Sequence, residues 1–327
     1  MAHELEFRNG NANMAYVGET PWHGLGQKFD PGVDLATIMK ALGTDRQVRA
    51  LPVFGPGGEI DGYRAIQRDG HAQPYAIMSD GYRPMQDETI FQPWQEAVAS
   101  GVLEFETAGT LHDGAKVWLQ LRPKTVDVSA DVVPGDEVTM RLLAANSHNG
   151  TLAATLAATA TRVVCQNTLS AALGKNDSAI RLKHTKNGEV RFLALAEGIA
   201  AAHQSFLTNV QAWRAMAKTP MNDGQFRSYA AQVFGVSEEP NPMAKRKRQE
   251  DDSRSVLTKL QPYWEAGRGS QYARGTVWGA YNAMTEFLTW ERGRSVDARL
   301  DSLWFGQGAK LSAYAAQLAA SAAGVTS

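Results

Sequence analysis

The sequence predicts an α+β fold: a mostly antiparallel sheet with one intervening helix, followed by a helical C-terminal half. Three observations carry this expectation. From about residue 46 to residue 162 the chain reads as strand-length runs joined by short turns rich in Gly and Asp, the way consecutive antiparallel strands are linked. From Gln166 onward the apolar residues recur at spacings of three and four, the period of a helix. The composition, 43% hydrophobic and 20% charged over 327 residues, is that of a folded chain of one large or two modest domains.

Residues 1–45 read as an arm followed by one short helix. In PGVDLATIMKALG, Asp34 is the expected N-cap, Leu35, Ile38, Met39 and Leu42 recur at helical spacing, and Gly43 is the stop. The runs QVRALPVFG, DGYRAIQRDG and AQPYAIMSDGY then predict a strand meander. A helix follows in DETIFQPWQEAVASG, with Asp87 as its expected cap. VLEFETAGT and AKVWLQLRP flank LHDG, whose Asp-Gly step predicts a hairpin, and two further strands flank SHNG.

The helical half opens with a long helix. Phe192, Leu195, Ile199, Ala202, Phe206, Asn209, Trp213 and Met216 alternate spacings of three and four, a seam for packing on a neighbouring helix or on a second copy, so a homo-oligomer is expected. GTVWGAYNAMTEFLTW and GAKLSAYAAQLAASAAG predict two more helices. The expected division is an arm and short helix over 1–45, a β-rich α+β domain over 46–185, and a helical region over 186–327. Within the last, the two Pro and opposite charge runs of SEEPNPMAKRKRQEDDSRS predict an exposed linker near 237–253.

Charge narrows the function classes. Lys plus Arg number 33 against 34 Asp plus Glu, so any nucleic-acid contact has to come from a local patch. One cysteine excludes an intramolecular disulfide and any zinc site needing two thiolates. The seven histidines show no HxH, HxxxH or HExxH spacing, so no metal and no cofactor is expected. FGQGAKLS lacks the spacing of a phosphate loop and reads as a glycine turn opening a helix. No window approaches a membrane span and the N-terminus has no leader pattern, so a cytoplasmic protein is expected, with no membrane partner.

Two groups of residues carry candidate chemistry. In TRVVCQNTL, Cys165 is either a buried small side chain or a nucleophile activated by His148 or His112, with Asn167 as orienter or oxyanion donor. In AKVWLQLRP, alternation puts Lys116, Trp118, Gln120 and Arg122 on one face, and cations beside an aromatic ring suit single-stranded nucleic acid. Arg141, Arg162, Arg181 and Lys183, with Asn167, extend that candidate surface at the sheet's end.

ETAGTLHDGAKVWLQL, LLAANSHNGT and TRVVCQNTLSAAL, together with NMAYVGETPWHGLG, SDGYRPMQDE, IRLKHT and GTVWGAYNAMTEFLTW, make the chain resemble the phage/plasmid-like protein family built on domain of unknown function 932. The resemblance implies a phage, prophage or plasmid origin and brings no established activity or catalytic residue. The expected function is a DNA-metabolism protein that binds single-stranded DNA without sequence preference, of the annealing type. The alternatives are a hydrolase or transferase working through Cys165, and a non-enzymatic protein that binds host components.

Overall fold

The computed structural model describes residues 7–8, 11–18, 26–162, 167–169, 180–182, 192–236, 247–292 and 296–325. In chain order it begins with β1 (Phe7–Arg8), β2 (Asn11–Ala12), β3 (Met14–Val17), β4 (Gln27–Phe29) and α1 (Leu35–Leu42). Next come β5 (Val48–Gly55), β6 (Gly58–Arg68), β7 (Ala76–Ser79), α2 (Asp87–Ala99), β8 (Leu103–Leu111) and β9 (Lys116–Pro123). The strands close with β10 (Ser129–Asp131), β11 (Glu137–Ser147), β12 (Ala154–Arg162), β13 (Asn167–Leu169) and β14 (Ile180–Leu182). Helices follow: α3 (Phe192–Lys218), α4 (Asp223–Phe234), α5 (Lys247–Ala266), α6 (Ser270–Ala273), α7 (Val277–Trp290), α8 (Val296–Phe305) and α9 (Gln307–Ala322). The class is α+β, with antiparallel strands in the N-terminal half and helices in the C-terminal half.

Local chemistry accounts for the early elements. The Asp34 carboxylate accepts the Thr37 N–H at 2.7 Å, Gly43 turns left-handed at φ 70°, and Leu35, Ile38, Met39 and Leu42 are all buried. At α2 the cap differs from expectation. Gln86 is the N-cap and makes no side-chain cap bond, while Asp87 is the first helical residue. The Asp87 carboxylate is drawn inward to buried partners, so it does not fold back on its own helix.

The chain forms two compact units that interleave in sequence. One takes residues 1–128, 141–158 and 178–202, the other 129–140, 159–177 and 203–327. Segments of the β-rich stretch are thus shared out between them, and neither unit coincides with residues 46–185.

In the first unit the larger sheet runs β12-β11-β9-β8-β3-β4. β11 with β9, β9 with β8 and β8 with β3 are antiparallel, and β4 lies parallel to β3. The LHDG hairpin forms as expected: Leu111 pairs with Lys116, and His112, Asp113 and Gly114 all take positive φ. α1 and α2 lie against β8, burying Ile38, Ile90, Phe91 and Trp94. β5, β6 and β7 make a separate antiparallel three-stranded sheet in that order.

In the second unit α7 is central and lies against α5, α6, α8, α9 and β13. Its residues from Val277 to Thr289 are almost all buried, as a helix covered on every side must be. Trp213 meets Trp278 at 5.7 Å between ring centroids, and Phe226 stacks on Trp264 at 4.6 Å. Phe206, Asn209, Trp213 and Met216 of the predicted seam are buried within this chain. α5 begins at Lys247, so the second part of the predicted linker is helical. Lys, Arg, Gln and Glu are all good helix formers, and charge by itself does not break a helix. LDSLWFGQG falls largely in α8 and the start of α9.

Candidate functional site

The predicted nucleic-acid face does not form an open surface. Trp118 is 2% exposed and Lys116 is also buried; only Gln120 and Arg122 reach solvent. The cause is the cross-strand neighbour. Gly109 pairs with Trp118, and a Cβ at that glycine would sit 2.8 Å from the indole ring, so the ring lies across the bare backbone. The remaining cations of this face are ion-paired. Arg122 donates to Glu104 at 2.6 Å, and Arg141 donates to Glu106. Both glutamates come from β8, the other half of the same hairpin.

Arg162 is 1% exposed and its guanidinium grips both oxygens of Asp136 at 2.6 and 2.7 Å. It also donates to the carbonyls of Arg268 and Gly269, and the Trp278 indole donates to Asp136 at 2.8 Å. This arginine ties the end of β12 to the loop before α6. Asn167 and Arg181 are described in their strands β13 and β14 by backbone alone, and Lys183 lies outside the described residues.

Cys165 also lies outside the described residues. His112 is exposed on the hairpin turn. His148 is fully buried, with Nε2 3.0 Å from Asp87 and Nδ1 without a hydrogen-bond partner. Around Asp87 the first unit builds a closed polar centre. The Arg68 guanidinium donates to Asp87 at 2.8 Å, to the carbonyls of Thr44, Arg46 and Gly114, and to the Tyr75 hydroxyl. Asn146 donates to Asp87 at 2.8 Å and to the Met85 carbonyl. Burial works to raise the Asp87 pKa, but His148, Arg68 and Asn146 outweigh it and hold the carboxyl well below the usual range. The same burial, with the Asp87 charge, pushes the Tyr82 phenol up to about 12.

Arg68 is the last residue of β6, and with Val48 and Ile66 it forms the buried side of the three-stranded sheet. The opposite side is open. Leu51 pairs with Ala65 and Ala65 with Ile77, so these three side chains form a row, with Tyr63 two residues along β6 on the same face. Leu51 is 37%, Tyr63 52% and Ile77 50% exposed; further along the β5–β6 ribbon Ile60 is 42% exposed, and Phe54, on the Val48 side of β5, is 70% exposed. Seven large hydrophobic residues stand exposed among the described residues, and these five share one small sheet. Scattered exposed apolar residues are ordinary, but a contiguous group marks a binding surface. Strand-pattern reasoning placed these strands and missed their openness, because alternation shows that a strand has two faces without showing which is covered.

Beside the sheet a cleft of about 230 Å³ is lined by Arg46, Asp69, His71 and Asp113 among others. His71 bridges Asp113 at 3.0 Å and the Gln73 carbonyl at 3.0 Å, and Asp69 is paired with Arg49. Its polar groups are largely committed to one another. Among the described residues no three His, Cys, Asp or Glu side chains could hold a metal ion, and no helix is long and apolar enough to cross a membrane.

No curated protein and no solved structure matches the chain. The family described as Domain of unknown function (DUF932) matches residues 74–304, a span that takes in β7, all the elements from α2 to α7 and most of α8. With well over half of its length matched, the chain belongs to the family of domain of unknown function 932.

Proposed function

We propose that this protein is a non-enzymatic binding protein whose working surface is the open face of β5, β6 and β7. The observation that carries the reading is the exposure of Leu51, Tyr63 and Ile77 together on one face of this sheet. An apolar centre with a polar rim is the anatomy of a protein–protein interface. The arginine on this face supports a protein partner over a nucleic acid: Arg49 is held by Asp69 at 2.8 Å. A strand of phosphates needs cations without such carboxylates beside them. The basic and aromatic residues first suited to DNA, Lys116, Trp118, Arg141 and Arg162, serve as buried or ion-paired supports of the fold.

The test is a photo-cross-linking phenylalanine analogue placed at position 63 in producing cells, with the same analogue at position 314 on α9 as control. The reading expects one defined protein species joined at position 63, absent at position 314, and lost when Leu51→Ser and Ile77→Ser are combined. Adducts with DNA or RNA, or none above the control, would overturn it.

A further inference from the structure

We infer that His71 is the protonation-sensitive pin of a clasp that holds the β8–β9 turn against the turn joining β6 to β7. The β8–β9 turn is one that needs holding. His112 and Asp113 stand in the left-handed region at φ 54° and 58°, followed by Gly114 at φ 86°. Two consecutive non-glycine residues there carry a backbone cost, although His and Asp bear it better than most. Such a turn keeps its shape because its neighbours fix it.

Three contacts fix this one. The Arg68 guanidinium donates to the Gly114 carbonyl at 3.3 Å, the His148 backbone N–H donates to the Ala115 carbonyl at 2.8 Å, and His71 meets the Asp113 carboxylate at 3.0 Å. The first two are indifferent to pH, since a guanidinium stays charged and a backbone amide has no charge to lose. The third is not.

The His71 side chain is 13% exposed and leans on the Tyr75 ring with centroids 4.9 Å apart, so packing sets its position. Its Nδ1 lies 3.0 Å from the Gln73 carbonyl and its Nε2 3.0 Å from Asp113. A carbonyl and a carboxylate can only accept, and both ring nitrogens donate together only in the imidazolium. A neutral ring satisfies one oxygen and turns a lone pair toward the other. The clasp is therefore closed with the ring charged, and it opens when the ring loses its proton. Histidine is the side chain that makes this change between about pH 5 and about pH 8.

The other charged groups lining the cleft with His71 are Arg46 from the α1–β5 connection, Arg68 at the end of β6 and Asp69 after it. Arg68 is held by Asp87 and Asp69 by Arg49, while the Tyr75 hydroxyl accepts from Arg68. Asp113 is thus the carboxylate that answers the ring. It belongs to the hairpin of the large sheet and His71 to a turn of the small one, so loss of one proton uncouples the two turns whatever the open face binds.

Amide hydrogen exchange on the full chain at about pH 5 and about pH 8 tests the clasp, each rate being taken relative to that of an unstructured peptide at the same pH. The amides to read are those of His71, bonded to the Arg68 carbonyl, and Ala115, bonded to the His112 carbonyl. The expected result is about threefold less protection at the higher pH, the size of an exposed charge contact. His71→Phe should be weakly protected at both values. Asp113→Asn, at a side chain 70% exposed, should fold normally and stay protected at both, because its amide donates to a neutral ring nitrogen and its carbonyl accepts from a charged one. Equal protection of the wild type at the two pH values, or a loss at high pH that persists in both variants, overturns the inference.

Discussion

β9 and the β5–β7 sheet show the same alternation of apolar and polar residues and meet opposite fates. In β9 the face with Lys116 and Trp118 is closed over, and only its far end at Gln120 and Arg122 reaches water. In the small sheet the face with Leu51, Tyr63 and Ile77 stays open although it is the more apolar of the two. The difference is position. β9 is an interior strand with β8 on one side and β11 on the other, so both faces fall within reach of packed elements. β6 is central only in a three-stranded sheet, whose buried face is settled at one end by Val48, Ile66 and Arg68. Alternation reports that a strand has two faces, and neighbours decide which face meets solvent.

Substitutions break or sharpen this contrast, beginning with the largest effect. Trp118→Ala is expected to cost about 3–5 kcal/mol because it empties a fully packed site, whereas Tyr63→Ala should stay within about 0.5 kcal/mol. Urea denaturation of the two variants measures the contrast directly, and equal losses would erase it. Arg68→Met and Arg162→Met each strand a buried aspartate, and each is expected to cost about 3–5 kcal/mol by the same measurement. Gly109→Ala presses a Cβ to 2.8 Å from the Trp118 ring, and the resulting crowding should cost about 1–3 kcal/mol.

Acid offers a subtler probe. The Asp87 carboxyl is held below its ordinary value of 3.8, so its contribution to stability is fully present above that value and is lost as pH falls through it toward the lower folded pKa. Wild-type stability should therefore drop more steeply in acid than that of Asp87→Asn, as followed by thermal melts across the acid range. Parallel curves would show that the centre around Arg68 and His148 does not depend on the Asp87 charge. The smallest effect is expected at Arg122→Ala. That exposed pair with Glu104 is worth about 0–1 kcal/mol and should weaken further with added salt.

Much of the fold was legible from residue types in order. Asp34 and Gly43 mark the ends of α1, the LHDG turn marks the β8–β9 hairpin, and the spacing from Phe206 to Met216 marks the buried stripe of α3. The candidate site was legible only in part. The pairing of Arg122 with a carboxylate could have been read from the hairpin register, which sets Glu104 opposite it. The same register sets Gly109 opposite Trp118, a sign that the ring lies down on its neighbour. No local pattern indicates that Arg68, Asp87, Asn146 and His148 converge, since up to 80 residues separate them along the chain.

The sequence by itself determined the α+β class, both caps of α1, the LHDG turn and the helical periodicity, because each depends on bonds and packing within a few residues along one strand or helix. Tertiary structure alone decided that Arg68 and Arg162 are buried and paired with Asp87 and Asp136. It alone decided that Trp118 is core while Tyr63 is surface. Burial is a property of what lies across the sheet, and a buried charge persists only where distant carboxylates and carbonyls meet it.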